Sequence, residues 1–153
     1  MFGLLKKQAE DFFTPAQKQQ ILDAIQKKKK NTSGEVRVFI ESKCRFVNAM
    51  DRAAEIFFML EMDNTEHHNA TLVYVAIKDR QFAIFGDEGI YKKTGQQFWT
   101  AELRKLSDEF YNHHYAEGIA EVVKDIGEAL SLHFPYEAST DKNELPDEIV
   151  FGK

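Results

Sequence analysis

The stretch Thr71 to Ile90, TLVYVAIKDRQFAIFGDEGI, decides the fold. Leu72 to Ile77 is apolar at every position, the pattern of a central strand covered on both faces rather than one with a wet side. Lys78-Asp79-Arg80 supplies a polar turn, and Phe82 to Phe85 runs apolar again as far as Gly86-Asp87-Glu88-Gly89. Two strands joined by so short a turn run antiparallel.

Working outward, Glu35 to Glu41 alternates. Val36, Val38 and Ile40 fall on one side and Glu35, Arg37, Phe39 and Glu41 on the other, so a half-buried strand nearer a sheet edge is expected. A helix is expected from about Asn48 to Leu60, followed by the polar loop Glu61 to Ala70. If the strands at Val36 and Leu72 pair in parallel through that helix, by a right-handed crossover, one end of a mixed sheet collects three pieces of chain. They are the start of the first strand, the loop entering the second and the end of the third. That rim holds Glu35, Asp63, Asn64, Asp87 and Glu88, while Asp79 falls at the opposite end. Two carboxylates ~5 Å apart repel by about 3 kcal/mol at an effective dielectric of 20. A crowded acidic rim therefore needs a cation, raised carboxyl pKa values, or side chains splayed into water. Oxygen-only donors suit Ca²⁺ or Mg²⁺ rather than zinc. The alternative is plain: Asp87 caps the following turn and Glu35 is solvated.

The flanks add helices. Thr14-Pro15-Ala16-Gln17 carries a capping threonine, a proline at the first helical position and a glutamine placed to complete a capping box. Phe2, Leu5, Ala9 and Phe12 predict an amphipathic segment over residues 1–13 that packs on a domain spanning 14–135. Lys27 to Lys30 suits the negative end of a helix dipole better than a nucleic-acid patch. Further helices are expected from about Thr94 to Asn112, with Trp99 in the core, and from Gly118 to Phe134, ended by Pro135. Residues 136–153 form an acidic tail, whose Ile149-Val150-Phe151 can dock or add an edge strand.

Composition narrows the function classes. The 153 residues are 43 % hydrophobic with thirteen phenylalanines, enough for one packed domain. No apolar run approaches the ~18 residues of a membrane span, and none forms a signal-peptide core, so a cytoplasmic protein is expected. The single cysteine, Cys44, allows no internal disulfide. A net charge of −5 without a basic, aromatic-laced stripe argues against nucleic acid as a partner. A monomer is expected, with a protein as the possible partner.

Several segments together resemble the TPM domain family. Asn31-Thr32-Ser33-Gly34-Glu35-Val36-Arg37-Val38 is similar to its "TSGEIRV" opening. The resemblance continues through Met62-Asp63-Asn64-Thr65, Leu72 to Ala76, Gly86-Asp87-Glu88-Gly89-Ile90, Trp99, Gly118-Ile119 and Phe134-Pro135. One departure is Asn69-Ala70, where the family usually has Asn-Gly, which puts a left-handed turn at that step in question. The resemblance implies a three-layer α/β/α sandwich around a small mixed sheet of three to four strands, with divalent cations at acidic loops. It also implies either weak acid-phosphatase activity, attributed to a plant member, or a non-catalytic accessory role. Glu35, Asp63 and Asp87 lie in its motif segments and carry over as candidate ligands.

Catalytic signatures are mostly missing from the sequence. Position 50, six residues after Cys44, is methionine rather than the arginine of a cysteine-phosphatase loop. There is no D-x-D pair, G-x-S-x-G, H-E-x-x-H or P-loop. A phosphatase built on this chain has to be metal-assisted. Of His67-His68, at most one can face the rim. The favoured reading is a divalent-cation-binding accessory module without catalysis; a metal-dependent phosphomonoesterase and a metal-free scaffold are the alternatives.

Overall fold

A computed structural model describes residues 9–27, 32–45, 48–136 and 149–152. Four strands, β1 (Glu35–Glu41), β2 (Ala70–Ala76), β3 (Gln81–Gly86) and β4 (Ile149–Phe151), form one mixed sheet in the order β3-β2-β1-β4. β1 pairs in parallel with β2 and with β4, and β2 pairs antiparallel with β3. Five helices surround them: α1 (Pro15–Lys27), α2 (Ala49–Met59), α3 (Glu88–Thr94), α4 (Gln96–Tyr111) and α5 (Tyr115–His133). A 3₁₀ turn, Ala9–Phe12, precedes α1. Among the described residues no helix is long and apolar enough to cross a membrane.

The sheet divides two cores and makes the expected α/β/α sandwich. On one face Val36, Val38, Ile40, Val73, Val75 and Ile84 meet α1, α4 and α5. On the other, Phe39, Leu72, Tyr74 and Ala83 meet α2 through Ala53, Ile56 and Phe57. Every residue of β2 is buried, as its unbroken apolar run requires. Burying a side chain such as Ile56 or Phe57 contributes roughly 1.5–3 kcal/mol each.

β1 corrects an expectation. It is interior, flanked by β2 and β4, and all seven of its residues are buried. Its polar side is buried as well, and at Glu41 the partner comes from α2. Arg52 on α2 makes two 2.8 Å bonds to the Glu41 carboxylate, and the Tyr74 hydroxyl donates to the same group. Glu41 raises the Arg52 pKa, and burial together with Glu41 pushes the Tyr74 phenol well above its ordinary value. Alternation marks two environments, and the second one here is a buried ion pair.

Local chemistry accounts for the helix ends. Thr14 and Gln17 form the reciprocal capping box, Gln17 N–H to Thr14 Oγ1 at 3.1 Å and Thr14 N–H to Gln17 Oε1 at 2.9 Å. Asn48 caps α2 by accepting the Asp51 N–H at 2.8 Å. The helix expected from about Thr94 to Asn112 is α4, and a further short helix that the sequence does not announce, α3, runs before it. α3 starts at Glu88, and Gly95, at φ 79°, separates it from α4. α5 begins at Tyr115, so Gly118 lies inside the helix; a Cβ there would stand 2.8 Å from the Glu109 Cβ of α4. Trp99 is buried in the core. Ile149–Phe151 adds the edge strand β4. Phe2, Leu5, Lys28 to Lys30 and tail residues 137–148 lie outside the described residues.

Candidate functional site

The strand register brings the expected pieces of backbone to one end of the sheet. Glu35 is opposite Ala70, and Thr71 is opposite Gly86. The Glu35 N–H donates to the Asn69 carbonyl at 3.4 Å, and the Asp87 N–H to the Ala70 carbonyl at 2.9 Å. Asp79 stands at the far end, where its carboxylate accepts the Cys44 N–H at 2.7 Å.

The side chains are less gathered than the backbone. Glu35 is buried. Asp63, Asn64 and Glu88 are exposed. Asp87 is the organised member: Oδ1 accepts the Glu88 N–H at 2.8 Å, capping α3, and Oδ2 lies 3.3 Å from His68 Nδ1. An anionic cap is favoured at a helix N-terminus. His68 is the one of the two neighbouring histidines that faces the rim, and the His67 ring lies near Phe134 instead. Two residues of this loop are left-handed, Glu61 at φ 56° and His68 at φ 50°, so the turn nearest β2 lies one step before Asn69-Ala70. Gly89 makes the approach possible, because a Cβ there would come within 2.2 Å of the His67 carbonyl oxygen and 2.4 Å of that of His68.

Among the described residues no three histidine, cysteine, aspartate or glutamate side chains converge as a metal-binding group. The rim does contain an unused oxygen. Asn69 is fully buried at the entry to β2, and its Oδ1 has no hydrogen-bond partner, while its Nδ2 lies 3.4 Å from Ser33 Oγ. A buried acceptor without a donor costs about 1–3 kcal/mol. Ca²⁺ and Mg²⁺ take such neutral carbonyl oxygens along with carboxylates and water. The donor chemistry therefore fits a hard cation, with few protein charges behind it.

Sequence reasoning passed over Asn69, which registered only as the residue before an unexpected alanine. It also passed over Glu102, away from the rim. This side chain is 3 % exposed on the core-facing row Trp99, Glu102, Leu106 and Phe110 of α4. That row was the available signal. Glu102 borders a groove of about 430 Å³ between α4 and α5, with Lys105 3.3 Å from its Oε2 and 2.7 Å from Asp125 Oδ2. Burial first, and then Asp125, push the Glu102 carboxyl up to about 7. Hydrogen bonding to Asp125 pushes the Lys105 amine up to about 12.

Known structures share this architecture. The BA42 protein of the psychrophilic bacterium Bizionia argentinensis, solved by NMR, is 36 % identical over 94 % of this chain and 97 % of its own, with a TM-score of 0.84. The N-terminal domain of the cg2496 protein from Corynebacterium glutamicum is 14 % identical, covering 77 % of this chain and 74 % of that one at a TM-score of 0.62. The N-terminal domain of a protein from P. gingivalis is 16 % identical, covering 82 % of each chain at 0.68. At those identities the latter two share the fold alone. No curated protein matches the chain. The family model of the TPM domain matches residues 7–129, most of the sandwich and the whole rim, and the chain belongs to that family.

Proposed function

We propose that this chain is a non-catalytic accessory module whose rim takes a divalent cation, Ca²⁺ or Mg²⁺. The observation that carries the reading is the buried, unpartnered Asn69 Oδ1 beside the backbone segment that holds Asp87. Asp87 supplies the charge, Asn69 a neutral oxygen, and Asp63, Asn64, Glu88 and Glu35 are the remaining candidates. So sparse a set of charged ligands suits a cation that keeps several waters and binds weakly. The bound ion would tie the β2 entry loop to α3 and present a defined surface, as a monomer, to a protein partner.

A melting curve in EDTA, Ca²⁺ and Mg²⁺ tests this. At ten times Kd a ligand stabilises the native state by about 1.4 kcal/mol, a rise of roughly 3–6 °C for a chain of this size. Asp87→Asn separates cap from ligand, because asparagine caps as well as aspartate. The variant should keep the metal-free melting temperature and lose the metal-induced rise. A midpoint unmoved by about 10 mM of either ion, far above a weak site's Kd, refutes the reading.

The His68–Asp87 contact favours a second reading, a metal-assisted phosphomonoesterase in which Asp87 orients His68 as a general base. Hydrolysis of a generic phosphomonoester that disappears in both Asp87→Asn and His68→Gln would support it. Activity that survives both substitutions would exclude it.

A further inference from the structure

A groove of different chemistry from the rim lies at the other end of the sheet. This groove of about 480 Å³ runs between the β2–β3 turn and the α4–α5 corner, within the size range of small-molecule sites. Phe82, Phe110 and Tyr115 line it, stacked edge-on to one another with ring centroids 5.2 and 4.9 Å apart. Tyr111, also lining it, is 86 % exposed. Arg80 brings a positive charge and His113 a ring nitrogen donor.

Those two residues sit where the backbone favours something else. Arg80 closes the turn, its N–H donating to the Ile77 carbonyl at 3.3 Å, with φ at 52°. His113 follows α4, its N–H donating to the Phe110 carbonyl at 3.0 Å, with φ at 62°. Glycine or asparagine takes such left-handed positions at lower cost. Of the four non-glycine residues at positive φ among the described residues, two line this one groove. Arg80 is exposed, and among the described residues it makes no ion pair. The neighbouring Asp79 accepts the Cys44 N–H and makes no ion pair with Arg80 among the described residues. His113 Nδ1 lies 3.2 Å from the Tyr115 hydroxyl; accepting from it leaves Nε2–H as a donor.

We propose that this groove binds a small aromatic anion. The planar ring packs against Tyr111 and the Phe82–Phe110 wall, and its oxyanion is held by Arg80, with His113 as a second donor. A guanidinium fork matches carboxylate and phosphate alike. Two sources share that chemistry, nucleoside monophosphates and aromatic carboxylates, and the proposal is independent of cation binding at the rim.

The test is an amide chemical-shift titration of the full chain with adenosine monophosphate and, separately, with benzoate. Saturable shifts confined to Arg80, Phe82 and the Phe110 to Tyr115 segment are expected with at least one probe. Adenosine alone and inorganic phosphate alone should each bind about tenfold more weakly, as should Arg80→Gln, the loss expected for one charge-assisted contact. Arg80→Gly should lose binding equally and melt at a higher temperature, which shows that the loss does not come from misfolding. A response to adenosine monophosphate assigns the nucleotide source, and a response to benzoate alone the carboxylate source. No saturation with either probe by ~10 mM overturns the proposal. So do shifts centred on Asp87, or Arg80→Gln binding within about twofold of wild type, less than one such contact contributes.

Discussion

Replacing Glu102 with glutamine should make the protein more stable at pH 8 and leave it nearly unchanged at pH 5. The carboxyl is 3 % exposed, and its Oε1 has no hydrogen-bond partner when ionised, whereas the protonated group can donate towards Asp125. In the unfolded chain it titrates near 4.5, in the native one near 7. Between those values the native state holds the extra proton. Stability therefore falls as pH rises from about 4.5 to about 7, and the Glu102 contribution levels off above that. At ~1.4 kcal/mol per pH unit the gap is worth about 3 kcal/mol. Glutamine removes this penalty but loses the attraction of the half-exposed Lys105, worth up to ~1 kcal/mol. The net gain at pH 8 is about 2 kcal/mol, or roughly 4–8 °C in melting temperature. Urea or thermal denaturation of both proteins from pH 5 to 8 measures it. Parallel stability curves, or a glutamine variant that is the weaker protein at pH 8, would refute the assignment of a protonated buried carboxyl.

Two further substitutions probe the rest of the frame. Arg52→Met leaves the Glu41 carboxylate buried with half its partners gone and should cost roughly 3 kcal/mol; adding Glu41→Gln should recover part of the loss. A cost under about 1 kcal/mol by denaturant titration would place the pair among ordinary surface bridges. Gly89→Ala drives a methyl into two backbone carbonyls that cannot rotate aside, so a loss of about 1–3 kcal/mol is expected, with the His68 loop displaced from α3. An unchanged melting temperature would mean that this loop is not held as closely as the geometry requires.

The mixed sheet and the shared end of Glu35, Asp63 and Asp87 follow from one apolar run, one short turn and a parallel crossover between the strands at Val36 and Leu72. What escaped has physical reasons. β1 alternates because α2 supplies Arg52 to Glu41, a pairing made in space that no strand pattern contains. α3 is seven residues long with Ile90 as its only buried residue, so it has no apolar period to detect. Glu102 occupies a core row, but a lone acid on a helix is read as solvated unless the helices beside it are known. Glu35, Asp63 and Asp87 reach one rim as backbone, yet the direction of each side chain depends on local contacts. Asp87 turns to its cap and to His68, and Asp63 faces solvent.

β4 gives the sheet an uneven schedule of opening. It is three residues long and pairs with β1 across more than one hundred residues of chain, with Gly152 N–H adding one bond to the Ile40 carbonyl at 2.8 Å. Closing so long a loop carries a large entropic cost against few contacts, whereas β2 and β3 meet across a short turn and along six paired positions. Folding therefore reaches the β2–β3 hairpin early and β4 late. In hydrogen exchange, the β1 amides that bond to β4 should be released by a local opening, well before the protection between β1 and β2 is lost.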